Sequence, residues 1–255
     1  MAFYKITSNR NEGQEKVCIY NKGCNFHCIG CAYKITSARI GPSDSDAIID
    51  AANIIKILKK IKPKRIHFLG GEPTLNTHLS PIAKFAHEGL GAITELGHSN
   101  GSGRVPDYID EASISIKAFD EGVHRRYTGV SNEHVLENFA DAYDRGIILR
   151  ASTVLIPDII PAEEIEQIAR FVAQVDTRIP FHITAYIPVP GISIRAPAPI
   201  EIQQAMASAK KHLKNVTSTQ LTVDGLVNLK ATNPSFRSER VDTQEVLSRL
   251  PIYIQ

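Results

Sequence analysis

What the chain lacks narrows it first. No apolar run approaches the roughly 20 residues that a membrane-spanning helix needs. The N-terminus, Met1-Ala2-Phe3-Tyr4-Lys5-Ile6-Thr7, has no apolar region of a secretory leader. Lys and Arg number 29 against 27 Asp and Glu, a net charge of +2, so nothing draws the whole surface toward nucleic acid or membrane. There is no internal repeat and no low-complexity segment. Cysteine is scarce, at four residues in 255. With no leader, these thiols point to a reducing cytoplasm and to metal or redox chemistry rather than disulfides. The composition, 43% hydrophobic and 22% charged, is that of a soluble globular chain with a sizeable core. The length suits a single α/β barrel, complete or partial.

Three of the four cysteines fall in one stretch, Gly23-Cys24-Asn25-Phe26-His27-Cys28-Ile29-Gly30-Cys31, spaced C-x3-C-x2-C. Three thiolates on one short loop can converge on a single centre, and iron–sulfur clusters are held by such thiolates. A cubane cluster has four irons, so three ligands leave one iron open to an outside ligand. A three-ligand catalytic zinc keeps its fourth position for water in the same way. The alternative adds Cys18 to make an all-cysteine zinc site of a non-catalytic zinc-binding protein. Structural zinc usually shows two well-separated C-x2–4-C pairs, and no second pair exists here. Cys18 lies in Val17-Cys18-Ile19-Tyr20, a strand-like run in which a cysteine is most often a small buried hydrophobe.

Patterning along the chain alternates strand and helix. Residues 1–15 read as polar and carry no strong pattern. Strands are expected at Lys16–Asn21, Arg65–Leu69, Ala92–Leu96, Ser113–Lys117, Ile147–Ile156 and Phe181–Tyr186. A helix capped by Ser43 or Ser45 is expected to reach Ile61, on the face Ile48, Ile49, Ala52, Ile55 and Leu58. Further helices are expected at Leu79–Glu88, around Tyr108–Glu111, at Glu133–Arg145, at Ala162–Val175 and at Ile200–Leu213, with Asp120–Asn132 a polar stretch between two of them. Ser218–Asn228 reads as one or two strands about an Asp224-Gly225 turn. Six strands alternating with helices imply a parallel sheet with right-handed crossovers, and too few units appear for eight. The fold class is therefore α/β, a partial (β/α)6 TIM barrel open on one side. Residues 1–190 make its core, the proline-rich run 187–200 (Pro188, Pro190, Pro197, Pro199) is a covering loop or boundary, and residues 191–255 make a C-terminal extension packing on the barrel.

Barrel chemistry gathers at strand C-termini. The cysteine loop falls there, as do Gly70-Gly71-Glu72-Pro73-Thr74, His98-Ser99-Asn100-Gly101 and Lys117. A strand running into Gly-Gly marks a place where something approaches the backbone closely. The most basic stretch, Lys56 to Arg65, falls at the opposite face. It reads as a solvated helix end, and it lacks the interleaved aromatics of a nucleic-acid site.

With the Gly-Gly-Glu turn downstream of the cysteines, the chain resembles the radical S-adenosylmethionine (radical SAM) superfamily over roughly residues 16–190. It is most similar to the pyruvate formate-lyase activating enzyme group, which activates glycyl radical enzymes. The run from Ile116-Lys117 to Val130-Ser131-Asn132 resembles that group's Asp-Leu-Lys strand and Val-Gly-Val-Ser-Asn segment, and Phe181-His182 its Tyr-His pair. The resemblance implies an oxidoreductase with a [4Fe–4S] cluster on Cys24, Cys28 and Cys31, and S-adenosylmethionine on the open iron. It implies that Gly70, Gly71 and Glu72 hold the methionine amino group, and that Ser99 and Asn100 border the cofactor. Lys117 would reach its carboxylate or ribose, and His182 its ribose hydroxyls. Arg150 would be a further cofactor contact. Taken without the resemblance, Lys117 reads as a strand-end surface lysine, His182 as a core histidine and Arg150 as an ion-pair partner.

The resemblance also implies a one-electron donor of flavodoxin or ferredoxin type. The substrate would be a protein glycine or, alternatively, another peptide, an RNA or a metabolite. The chain departs from the family at three places. Gly30 stands where an aromatic residue commonly contacts adenine, with Tyr33 two places after Cys31. His98 and Ser115 stand where the group has acids implicated in binding a monovalent cation. No second cysteine cluster exists, which excludes the larger activases with an inserted ferredoxin domain.

Overall fold

The computed structural model describes residues 1–9, 16–31, 48–189, 191–222 and 239–248. Strand β1 (Ala2–Asn9) pairs antiparallel with β2 (Lys16–Lys22), in the stretch expected to be patternless. Phe3 and Ile6 are fully buried. The register slips between Phe3 and Lys5, and this irregularity at Tyr4 breaks the two-residue alternation that marks a strand in sequence.

Helix α1 (Ala51–Ile61) begins later than expected. Asp50 caps it, accepting from the Asn53 amide at 2.7 Å, while Ser43 and Ser45 lie outside the described residues. Its buried face is Ile54, Ile57 and Leu58; Ile48 and Ala52 are exposed, so the expected face is turned. Next come β3 (Arg65–Leu69) and α2 (Leu79–Lys84), the latter running on as a π-helical turn over Phe85–Gly89. Strands β4 (Ile93–Ser99) and β5 (Glu111–Ser115) follow. No helix forms at Tyr108, which turns the chain with φ +66° just before β5.

The stretch read as polar contains α3 (Glu121–Thr128). The Asp120 side chain caps it by accepting from the Val123 amide at 2.8 Å, and Gly129 ends it at φ +85°. Its buried residues are His124, Tyr127 and Thr128. None of these is aliphatic, so no apolar period shows in the sequence. Helix α4 (Glu133–Asp144), β6 (Ile148–Leu155), α5 (Ala162–Val175), β7 (Phe181–Ala185) and α6 (Pro199–Lys210) lie close to expectation. They are followed by β8 (Val216–Thr219), β9 (Glu239–Arg240) and α7 (Thr243–Ser248).

The strands form one open nine-stranded sheet in the order β8-β7-β6-β5-β4-β3-β2-β1-β9. From β2 to β8 every pairing is parallel, so β8 adds a seventh parallel strand to the six expected. The Asp224-Gly225 turn lies outside the described residues. Strands laid down in sequence order with right-handed crossovers put every crossover helix on one face. Burial follows: Ile66, Phe68, Ala112 and Ile114 are buried under the helices, while Arg65, His67, Glu111 and Ser113 between them are half-buried on the other, concave face. This is the open α/β sheet of a partial TIM barrel, and its core is one cluster running from Phe3 to Val216.

Candidate functional site

The concave face has a floor, at the N-terminal ends of the parallel strands, and a rim at their C-terminal ends. The rim is organised where β2 and β3 end. Gly71 has φ +40°, and a Cβ there would lie 1.9 Å from the Gly23 carbonyl oxygen. The Glu72 amide donates to that same oxygen at 2.9 Å. The close approach expected at Gly-Gly is thus made by the chain itself, at the entry to the cysteine loop. Buried Asn21 ties the two turns together, donating to the Gly23 and Glu72 carbonyls at 3.2 Å each and accepting from Asn76 at 2.8 Å.

Glu72 is fully buried. Its carboxylate accepts from the Thr74 amide, the Thr74 hydroxyl, the Ser99 hydroxyl and the Asn100 amide. Burial pushes its pKa up, and these four donors oppose the shift. The side chain knots the end of β3 to the end of β4. Strand β4 carries an extra residue here, because Leu96 pairs with Ala112 and Ser99 with Ile114. This bulge leaves Ser99 buried against Glu72 and His98 exposed. His98 makes no hydrogen bond among the described residues. The surrounding protein lowers its pKa, with Lys117 next in effect.

The cysteine loop lies across this rim. Cys24 Sγ accepts from the Phe26 amide at 3.4 Å and the Asn100 side chain at 3.5 Å. Asn100 also donates to Asn25, which is bonded to Ser102. Farther along, the loop rests on α3: the His27 amide donates to the Thr128 carbonyl at 2.8 Å, and the Ile29 amide to the Tyr127 carbonyl at 3.1 Å. Burial pushes the Cys28 thiol up to about 11, while Lys117 pulls it down, and Cys31 and Cys24 are its next electrostatic neighbours. Lys117 Nζ donates to Ser115 Oγ at 2.8 Å.

The donor set fits a cluster. All four cysteines are free. Among the described residues no three His, Cys, Asp or Glu side chains converge tightly enough for a single metal ion. Thiolates that bind three different irons of a cubane need no such convergence. Cys18 stands apart, paired within the sheet with Thr7 and His67. It is four residues before the end of β2, about 13 Å at 3.3 Å per residue. The arrangement does not supply the four-thiolate zinc site.

His182 lies on the concave face of β7 and shares a 2.8 Å hydrogen bond with Thr217. Burial lowers its pKa. Arg150 is not brought to the rim. It sits near the start of β6, where its guanidinium reaches Glu95 at 3.1 Å and Glu111 at 3.0 Å. Arg65 makes the same two contacts at the same distances, and His67 Nε2 lies 2.8 Å from Glu95. This ion-pair floor is the structural role that the residue type alone suggests for Arg150. Sequence reasoning missed Asn21, Asn25, Ser102 and the whole of α3. The Asp120 cap and the Gly129 stop, eight residues apart in between, were the signals that could have found the helix.

Comparison with known proteins agrees with this architecture. The family model of the radical SAM superfamily matches residues 18–172. A protein of Methanocaldococcus jannaschii provisionally named a glycyl-radical enzyme activating enzyme is 30% identical over 212 residues, covering 80% of each chain. Among solved structures, Streptococcus suis SuiB bound to S-adenosylmethionine superposes with a TM-score of 0.59 at 17% identity. That match covers 84% of this chain and 50% of SuiB, so the chain spans about half of SuiB's length. A domain of a pyruvate-formate lyase-activating enzyme from Bacteroides vulgatus gives a TM-score of 0.50 at 21% identity, covering 60% of this chain and 98% of that domain. The chain belongs to the radical SAM superfamily, whose cofactors are a [4Fe–4S] cluster and S-adenosylmethionine. No helix among the described residues is long and apolar enough to cross a membrane.

Proposed function

We propose that Cys24, Cys28 and Cys31 hold the [4Fe–4S] cluster and that S-adenosylmethionine lies along the rim beside it. One observation carries this reading: a three-thiol loop is fastened by backbone bonds to α3 and packed directly on the Gly70-Gly71 turn. When bound, cluster and cofactor supply one-electron cleavage of the sulfonium to methionine and a 5′-deoxyadenosyl radical.

The chain's own residues bind, orient and shield. The Gly70–Glu72 backbone, with Glu72 holding it to Ser99 and Asn100, presents carbonyls suited to the methionine ammonium. Asn100 orients Cys24 by its hydrogen bond to the sulfur. Lys117 supplies a cation for the methionine carboxylate or ribose, and His182 reaches the ribose hydroxyls. Arg150 stays with the floor and has no part in cofactor binding.

The finer reading is activation of a glycyl radical enzyme. It is supported by the name of the 30% identical relative and by the open sheet, which admits a protein loop at the concave face. A hydrogen atom leaves the glycine α-carbon and is found in 5′-deoxyadenosine. The electron comes from a flavodoxin- or ferredoxin-type donor, in the cytoplasm. The test uses the anaerobically reconstituted protein, dithionite, S-adenosylmethionine and a glycyl radical enzyme labelled with α-deuterated glycine. Deuterium in the 5′-deoxyadenosine and a glycyl EPR signal are expected. Cofactor cleavage with no label transfer contradicts the glycine substrate and leaves the superfamily chemistry in place.

A further inference from the structure

The three cysteines are not seated alike. Cys24 Sγ accepts from the Phe26 amide at 3.4 Å and from the Asn100 side-chain amide at 3.5 Å. No side chain among the described residues donates to the sulfur of Cys28 or Cys31. The Phe26 contact is local, made two residues along the same loop. The Asn100 contact joins residues 76 apart and comes from the turn that follows β4.

Which end of the Asn100 amide faces the sulfur is fixed by its other partners. Its Oδ1 accepts from the Ser102 amide at 2.8 Å, so Nδ2 is turned to the cysteine loop. That nitrogen carries two protons. One goes to Asn25 Oδ1 at 3.0 Å and leaves the other for Cys24. Asn25 is held in turn. Its Oδ1 also accepts from the Ser102 hydroxyl at 3.1 Å, and its Nδ2 donates to that hydroxyl oxygen at 3.0 Å. The turn itself is fastened on both sides. Asn100 is 6% exposed, its backbone amide donates to Glu72, and the Gly101 carbonyl accepts from Asn138 of α4 at 2.9 Å. The fold thus preorganises one long-range N–H donor at one cysteine sulfur.

We infer that the Asn100 side-chain amide, held by Asn25 and Ser102, donates to the Cys24 sulfur of the cluster and raises its reduction potential. The inference rests on the assignment of Cys24, Cys28 and Cys31 as cluster ligands, and it adds a redox role to the orientation of Cys24. Reduction adds one electron to the cluster, and its sulfurs share the added negative charge. A fixed N–H donor at sulfur stabilises that charge and favours the reduced form. Asn100 is here a positioning and tuning residue, not a catalytic one.

The test is an EPR-monitored redox titration of the reconstituted protein without S-adenosylmethionine. Asn100→Leu keeps the bulk and removes the donor. At a fixed potential its reduced-to-oxidised ratio should fall about tenfold, which is about 59 mV for one electron, with iron content unchanged. Asn100→Asp, which keeps the acceptor for the Ser102 amide but sets a carboxylate against the sulfur, should lower the ratio further. Thr74→Val is the comparison. It takes one donor from Glu72 without touching a cysteine, and should lower the melting temperature while leaving the potential in place. A fall in potential as large as that of Asn100→Leu would make the effect a general loosening of the rim and overturn the inference. In the parent protein, labelled with 15N at asparagine side-chain amides, pulsed EPR of the reduced cluster should show a nitrogen coupling. Its absence would overturn the hydrogen bond even if the Asn100 variants lose their cluster. If those variants do assemble a cluster and its potential does not move, the inference fails and the ligand assignment stands. If the parent protein assembles no cluster, the ligand assignment fails and takes this inference with it.

Discussion

The floor and the rim of the concave face are built on opposite terms. At the floor, Arg65 and Arg150 each reach both Glu95 and Glu111, and His67 closes on Glu95. Charge there meets opposite charge. At the rim the backbone is fastened just as firmly, through Asn21, Glu72 and α3, but the groups it presents meet no opposite charge among the described residues: three free thiols and His98. The difference separates two uses of buried polarity. A closed network holds strands together. A rigid frame around open valences waits for a ligand. Changes at the rim should therefore cost cofactor loading, and changes at the floor should cost stability alone.

The largest effect is expected from Gly71→Ala. It forces a Cβ against the Gly23 carbonyl at a positive φ. A loss of about 3 kcal/mol or more is expected, with iron per chain falling in parallel. A variant that loads iron normally would show that the two turns are not packed as described. Glu72→Gln comes next. An amide cannot accept from all four donors, one of which is left facing its NH2 group, at a cost of about 2 kcal/mol. Its melting temperature and its affinity for S-adenosylmethionine, by calorimetry, should both drop.

Glu95→Gln tests the floor. Burial raises the Glu95 pKa, but His67, Arg150 and Arg65 outweigh it and hold the group at about 2. An unfolded Glu titrates near about 4.3. The contribution is thus present above that pH and is lost as pH falls from there through about 2. The magnitude is on the order of 2 kcal/mol, reduced by the open concave side. Unfolding scans of the parent protein should show this acid loss, the Gln variant should lack it, and iron content should be the same in both. The smallest effect belongs to Arg150→Ala. With its side chain half exposed and Arg65 still bridging the same carboxylates, about 0.5 kcal/mol is expected, with cofactor affinity untouched. A large drop in affinity would return Arg150 to the cofactor site.

Much of this was legible because the barrel's strands are long apolar alternations ending in distinctive chemistry. The C-x3-C-x2-C spacing and the Gly-Gly-Glu turn both stood out, and four of the six expected parallel strands were placed within a residue at each end, while β4 runs three residues past its expected end and β5 begins and ends two residues early. What escaped had physical reasons. Strand β1 hides behind its irregularity at Tyr4. Helix α3 buries His124 and Thr128, so hydrophobic periodicity passes over it. The bulge that turns His98 from Ser99 is a pairing property, invisible in one strand. Arg150 was drawn toward the cofactor by the resemblance, whereas its place two residues from the start of β6 ties it to the floor.

The most direct measurement of the central claim is product analysis after anaerobic reconstitution with iron and sulfide, followed by dithionite and S-adenosylmethionine. The account predicts 5′-deoxyadenosine from the parent protein and from Cys18→Ala, and none from Cys24→Ala, Cys28→Ala or Cys31→Ala. A protein that holds stoichiometric zinc, loses it on Cys18→Ala and never cleaves the cofactor would contradict it.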